Sequence, residues 1–326
     1  MIKLGSCRVA DVLGLNINDI NNDDTIRWAC MEVDDIAGPY LRMREPMSFN
    51  NKSEQAARFL GQRQIHEQWQ SDYLNPALDR FYDAAFADIV ATIKPKSSDK
   101  LLDAGCGYCY HTVRLARSEA SITGVDFSEA ALSIGRQRIA DAGLSSRVHL
   151  DRGDLTDLPF EDGYFEFVLS WGVLMHIPNL EQALRELVRV LKPGGILILC
   201  ENNANSLDVR VREPLIRGIK RLLGRKVSPI RKTPWGIEAW NEREDGGLMV
   251  RKTDLAALTK FLAGQGLNEL SRSAGQFTEA YTNFGSRSVK KAIYALNMAY
   301  YKHIGWHLPA MGNIVLFQKN VGKFDL

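Results

Sequence analysis

From Lys100 onward, short apolar runs alternate with longer amphipathic stretches. The runs are Lys100–Ala104, Ser121–Asp126, Val148–Asp151, Phe165–Ser170 and Ile196–Cys200. Each has the length of a strand, and the intervals predict helices of about 10–15 residues. That alternation is the pattern of a parallel sheet covered by helices. The clearest helix is Leu180–Leu191, where Leu180, Leu184, Leu187, Val188 and Leu191 share one face. Asn179 can cap its start, and Gly194-Gly195 follow its end. Upstream, Trp69, Tyr73, Leu78, Phe81, Tyr82 and Phe86 recur at three- and four-residue spacings, predicting one or two helices over 62–93. Residues 1–60 are polar and irregular, with acidic pairs at Asp23-Asp24 and Asp34-Asp35. Downstream, residues 201–250 break the alternation and are rich in Arg, Lys, Pro and Trp. A helix at Lys252–Leu262 resumes it. Two strands follow, Leu267–Ser271 and Asn313–Gln318, with an aromatic segment, Ala292–Trp306, between them.

Composition narrows the class. The 326 residues are 45% apolar and 25% charged, which excludes disorder and collagen-like repeats. No apolar run reaches the roughly 18 residues of a spanning helix. Phe165–Ile177 comes nearest, but Glu166 and His176 interrupt it. Met1–Ala10 has no apolar segment of the kind a secretory signal needs, so none is expected. A net charge of +2 implies no polyanion partner, and no nucleic acid is expected. Five scattered cysteines do not make a disulfide scaffold. Cys106 and Cys109 form a C-x-x-C, but no second pair lies at zinc spacing, so no metal site is expected. A reducing, cytoplasmic location fits this cysteine usage.

The chemistry gathers at successive strand ends. Leu101–Gly107 is a buried strand running into a turn with Gly105 and Gly107, whose missing Cβ atoms let backbone lie against a ligand. A dinucleotide site would carry a third glycine where Tyr110 stands, which disfavours a nicotinamide cofactor. Asp126 ends the second strand, where a carboxylate can accept both hydroxyls of a ribose. Asp154 follows the third, where one can accept an exocyclic amine.

These segments resemble the class I S-adenosylmethionine-dependent methyltransferases, in particular the ubiquinone/menaquinone-biosynthesis-like and sugar O-methyltransferase branches. The matching segments are Leu101–Gly107, Gly124–Ser128, Gly153–Phe160, Phe165–Trp171 and Leu191–Ile198, in the family's order over about residues 100–200. Cys109 departs from the pattern where many members have a further glycine. The resemblance implies an α/β fold: a Rossmann-like seven-stranded sheet with helices on both faces, an antiparallel last strand, an N-terminal helical arm and lid insertions. It implies S-adenosyl-L-methionine as cofactor, with Gly105, Cys106 and Gly107 at its methionine part and Asp103 near the ammonium. Asp126 would hold the ribose, Asp154 and Leu155 the adenine, and Ser170 would line the site by the sulfonium, with Phe127 also binding the cofactor. The implied division is an arm over 1–93, a cofactor core over 94–200, a basic lid over 201–250, and completion of the sheet over 251–326 with an insert at 272–312.

An alcohol acceptor must lose its proton as it attacks, so a base is needed. His176 and Glu201, at neighbouring strand ends, are the candidates. His111 reads as structural or near the cofactor, and His149 as core. The insert Glu201–Gly247 resembles, more loosely, methyltransferases of bacterial polysaccharide assembly. The first reading is therefore O-methylation of a sugar or polysaccharide-precursor hydroxyl, free or lipid-linked. The alternatives are C- or N-methylation of a quinone-like or amine molecule, and a non-catalytic partner subunit. Acceptor choice falls to the inserts, whose aromatics (Trp69, Tyr73, Trp235, Trp240, Tyr281, Tyr300, Tyr301, Trp306) read mostly as lid core. Asp208–Thr233 holds nine Lys or Arg and two acids, a net +7. A helix beginning near Pro214 and ending before Gly224 puts Leu215, Ile219, Leu222 and Leu223 opposite Arg217, Lys220 and Arg221. It suits a mobile lid meeting an acidic acceptor or the anionic inner face of a membrane, or a lid whose apolar side packs inward.

Overall fold

Alternate residues of each central strand face opposite sides of one sheet. In the computed structural model, which describes residues 56, 58–67, 76–243, 246–284 and 286–321, this gives two apolar layers. Leu101, Phe167, Leu169, Ile198, Ile314 and Leu316 face one side, and Leu102, Val168, Leu197, Leu199, Val315 and Phe317 the other.

The strands are β1 (Lys100–Ala104), β2 (Ser121–Asp126), β3 (Val148–Arg152), β4 (Phe165–Trp171) and β5 (Leu191–Asn202). After them come β6 (Ile230–Thr233), β7 (Gly236–Arg243), β8 (Gly246–Thr253), β9 (Leu267–Ala274) and β10 (Gly312–Lys319). The main sheet has the order β3-β2-β1-β4-β5-β10-β9. β10 alone runs antiparallel to its neighbours, from Gly312 opposite Asn202 to Gln318 opposite Ile196. The sheet is the seven-stranded, mostly parallel one the motifs imply. Strand order reverses between β1 and β4, which opens a crevice at their carboxyl ends.

The helices are α1 (Pro76–Ile93), α2 (Thr112–Leu115), α3 (Glu129–Asp141), α4 (Leu180–Val190), α5 (Glu213–Leu222), α6 (Leu255–Gly264) and α7 (Arg287–His303). α1, α2, α3 and α7 pack on the first layer, α4 and α6 on the second. The α4 face forms as its periodicity predicts. Asn179 Oδ1 caps it, accepting from Gln182 N–H at 3.4 Å.

Four expectations need correction. Lys252 and Thr253 belong to β8; Asp254 caps α6, accepting from Ala256 and Ala257 N–H at 3.0 and 3.1 Å. The expected basic lid contains more than a helix: β6-β7-β8 form a separate antiparallel sheet. His149 is exposed, because β3 is an edge strand with few buried positions. The apolar residues of α5 are exposed rather than packed inward. Among the insert aromatics, Tyr281 and Tyr300 are buried, and Trp235 packs edge-on against Phe261. Trp306 is exposed, unlike a core residue. Trp69 and Tyr73 lie outside the described residues.

Candidate functional site

The glycine turn is pinned to the sheet from below. Gly105 and Cys106 N–H both donate to Val125 O, at 2.7 and 3.0 Å. Gly105 has φ +83°, and a Cβ there would meet Val173 Cγ1 at 2.4 Å, so glycine is required. Gly107, at φ +53°, is different: a Cβ there meets nothing within 4 Å. Its open side faces away from protein, as a cradle for a ligand must.

Cys109 also adopts the left-handed region, at φ +59°, where a residue other than glycine is strained. It stands where many family members have glycine, and the backbone has kept the glycine conformation. Cys106 and Cys109 are buried, and the hydrogen bond with the neighbouring Cys109 thiol, with burial, pushes the Cys106 thiol well above its ordinary range. Cys106 is therefore a thiol, not a thiolate.

Two carboxylates flank the turn. Asp103 accepts from Thr112 Oγ1–H at 2.6 Å, and burial raises its pKa to about 6, with the nearby Asp126 charge adding to the rise. Asp126 accepts from Gly107 N–H and Ser128 N–H, both at 2.9 Å. Burial raises its pKa, and those two amides oppose the rise. Both acids are thus under-compensated and favour a cationic or multiply donating ligand. Beyond Asp126, Phe127 packs against Phe59, Leu60, Ile65 and Leu248. His66 Nε2 lies 2.6 Å from Leu60 O and 3.0 Å from Ser128 Oγ, closing this end of the crevice. At the next strand end Asp154 is exposed, and its Oδ1 accepts from Thr156 N–H at 2.8 Å, while Leu155 is buried beside Val125. Ser170 is buried near the end of β4, and its Oγ has no hydrogen-bond partner among the described residues.

The two candidate bases share this edge but have separate anchors. His176 ends a turn after β4, and its Nδ1 lies 2.7 Å from Met249 O. Desolvation lowers its pKa, so it is neutral near pH 7. Glu201 lies within β5, not after it, and its Oε1 accepts from Leu174 N–H at 3.2 Å. Burial pushes its pKa up to about 8, against the opposing charge of Arg251. Glu201 Oε2 is buried without a partner among the described residues.

Sequence reasoning missed the residues that hold this edge together. Arg251 is fully buried and donates to Glu238 Oε1 at 3.0 Å, Leu174 O at 3.0 Å and Ile177 O at 3.1 Å. It ties the small sheet to the loop that carries His176. His66 and Thr112 were also missed. Thr112 had a signal, a hydroxyl in the first turn after the glycine loop. His66 had none, since its contacts span 62 residues.

Comparison with known proteins agrees with this geometry. Residues 102–199 match the family model described as a methyltransferase domain. The demethylmenaquinone methyltransferase of Staphylococcus epidermidis is 34% identical over 145 residues, 44% of this chain and 56% of that protein. That of Clavibacter sepedonicus is 30% identical over 173 residues, 51% of this chain and 69% of that protein. The chain thus spans only a little over half the length of the first of these relatives. An S-adenosylmethionine-dependent methyltransferase structure from Thermotoga maritima covers 81% of this chain and 99% of its own, with 18% identity and a TM-score of 0.50, a likeness of fold. The crevice, the glycine turn and its carboxylates define a nucleoside-binding α/β protein of the methyltransferase kind. The chain belongs to the class I S-adenosylmethionine-dependent methyltransferases.

The residues present fit S-adenosylmethionine. Gly107 leaves open space, burial raises the pKa of both Asp103 and Asp126, and the Ser170 hydroxyl is unpaired among the described residues. Asp103 and the glycine turn would hold its amino-acid part, and Asp126 its ribose. When bound, the cofactor supplies an activated methyl group.

Proposed function

We propose that this chain methylates an aromatic, quinol-like ring. The observation that carries the reading is a wall of rings at the carboxyl end of β4. Trp171 stands 4.7 Å from Phe86 and 5.4 Å from His111, centroid to centroid. Tyr82 and Tyr110 close around the same imidazole at 4.7 and 5.2 Å. Burial, with Arg114 and Arg138 nearby, lowers the His111 pKa to about 3, so its imidazole is neutral, while the Arg114 guanidinium lies 4.3 Å from the Tyr110 ring centroid. Phe86 and Tyr82 are buried, and the partly exposed Trp171, Tyr110 and His111 offer stacking to a flat ring. A sugar would ask for several convergent hydrogen-bonding groups. Of the polar groups on these rings, Tyr110 Oη–H is used on Asp79 and Tyr82 Oη accepts from Gln276 at 3.5 Å, while His111 Nδ1 is unpartnered among the described residues. The relatives' name, demethylmenaquinone methyltransferase, supports a quinone-like acceptor over the sugar hydroxyl that the insert suggested. No relative compared above is named for polysaccharide.

In this reading the wall orients the ring beside the glycine turn. Alignment supplies most of the catalysis. Glu201, when ionised, takes the proton of a ring hydroxyl at Oε2, which makes the ring electron-rich, and the ring carbon that gains the methyl would give up its own hydrogen as a proton to solvent.

The test is incubation of the chain with methyl-deuterated S-adenosylmethionine and separate pools of reduced naphthoquinols, lipid-linked sugars, nucleotide sugars and amines, read by mass spectrometry. A label on a ring carbon is expected. A label on a sugar oxygen would restore the hydroxyl reading. Cofactor binding without any labelled product would favour the partner-subunit reading.

A further inference from the structure

A polar chain hides its large aliphatic side chains, yet one continuous segment here does the opposite. Leu207, Val211, Leu215, Ile219, Leu222 and Leu223 are all exposed, Leu215 at 62% and Leu222 at 88%. At about 100° per residue they fall within one arc of about 160° on the helical path that ends in α5. No α5 residue is buried. Arg210, Arg217, Lys220 and Arg221 fall on the opposite side, and Arg225 and Lys226 follow the helix end, exposed. Arg217 donates to Ser228 O at 2.9 Å, which folds the basic loop back along the helix.

A second element adds to this surface. Leu207 N–H donates to Pro309 O at 3.1 Å, and Asn203 Nδ2–H donates to Leu308 O at 2.9 Å. These bonds set the turn after α7 beside the start of the apolar row. That turn exposes Ile304, Leu308 and Trp306, the last at 72%. Its shape is held from within, since Tyr300 Oη–H donates to Trp306 O at 2.6 Å.

We propose that 207–226 and the 304–308 turn together form a docking face for an anionic lipid bilayer. The face joins exposed leucines, an exposed tryptophan and a run of positive charge, the combination that seats a short helix in the headgroup layer. Charge complementarity selects the partner. Asp208–Thr233 carries +7 in a chain of net +2, which suits anionic lipid. The apolar row argues against nucleic acid, which would leave it in water. The protein docks on one leaflet, because among the described residues no helix is long and apolar enough to cross a membrane. The face starts just past Asn202, at the sheet edge that holds the candidate site. It stands whatever the acceptor is.

The test is sedimentation of the full chain with vesicles of phosphatidylcholine alone or mixed with phosphatidylglycerol, at low and high salt. Binding only to the anionic vesicles is expected, weakened by salt. Lys220→Gln with Arg221→Gln and Arg225→Gln is expected to lower partitioning about a hundredfold. Leu215→Ser with Leu222→Ser is expected to lower it at least about tenfold. Both variants should keep wild-type circular dichroism and affinity for S-adenosylhomocysteine. Wild-type chain that stays in the supernatant would overturn the proposal. So would variants that bind vesicles like wild type, or a chain that binds heparin or poly(U) and ignores vesicles.

Discussion

Asp126 is the residue proposed to hold the ribose of the cofactor. A carboxylate has about four acceptor positions, and Gly107 and Ser128 amides use two of them. Two remain, the number that a pair of vicinal hydroxyls can fill. Asp126→Ala is expected to remove about 1.5–3 kcal/mol of charged hydrogen bonding, a ten- to hundredfold loss of S-adenosylhomocysteine affinity by calorimetry. Unchanged affinity would place the ribose elsewhere. Glu201 sets a pH dependence. Its folded pKa, about 8, stands above the 4.5 of an ordinary glutamate, so between those values the folded chain holds a proton the unfolded chain has lost. Its contribution to stability therefore falls as pH rises from 4.5 to 8. The base is the ionised form, so kcat is expected to rise with pH through about 8. Glu201→Gln should flatten that rise and lower the plateau about 10²–10⁴-fold, with cofactor affinity kept. A Gln variant with an intact rise would assign the proton to another group.

At the scale of elements, the latch between the small sheet and the loop after β4 is the sensitive joint. Arg251 and Glu238 are both buried, and Arg231 also donates to Glu238 Oε2 at 2.7 Å, so removing Arg251 leaves Glu238 one cationic partner while removing Glu238 strands the buried Arg251 charge. Arg251→Met is expected to lower stability in denaturant unfolding by less than the about 3–5 kcal/mol of a pair with no second cation. Since the Arg251 charge holds the Glu201 pKa down, the same variant should move the alkaline rise in rate to higher pH. These elements also show where sequence reading succeeds. The β1, β4, β5 and β10 strands were legible because apolar runs bounded by glycine and polar turns suit strands buried on both faces. The glycine turn and Asp126 were legible because their chemistry is local. The small sheet was not. Its interior is held by Arg251 and Glu238, residue types that read as solvated, and glycines at 236, 246 and 247 interrupt the pattern. The α5 face was legible as an amphipathic helix, but which side meets protein is a tertiary fact that periodicity does not contain. The Asp126–His66 end was equally hidden, because its partners come from distant segments.

The whole molecule is a cofactor-binding sheet with further elements inserted later in the chain. α5 and the small sheet lie between β5 and α6, and α7 lies between β9 and β10. This order has a consequence for how the protein is made. β10 is inserted between β5 and β9, so β5 gains its second neighbour only when a segment roughly 110 residues further on has been synthesised. At a translation rate of about 5–20 residues per second, that is a wait of roughly 5–20 s. During it, β5 presents an open edge along Ile196–Asn202, the row later paired with β10. Asn313 cannot yet stand opposite Glu201. The nascent chain can assemble β1 to β5 early, but it carries an unpaired, aggregation-prone strand on the ribosome until the late hairpin arrives. Its yield in cells should therefore depend on chaperone capacity and elongation speed more than the stability of the finished sheet would suggest.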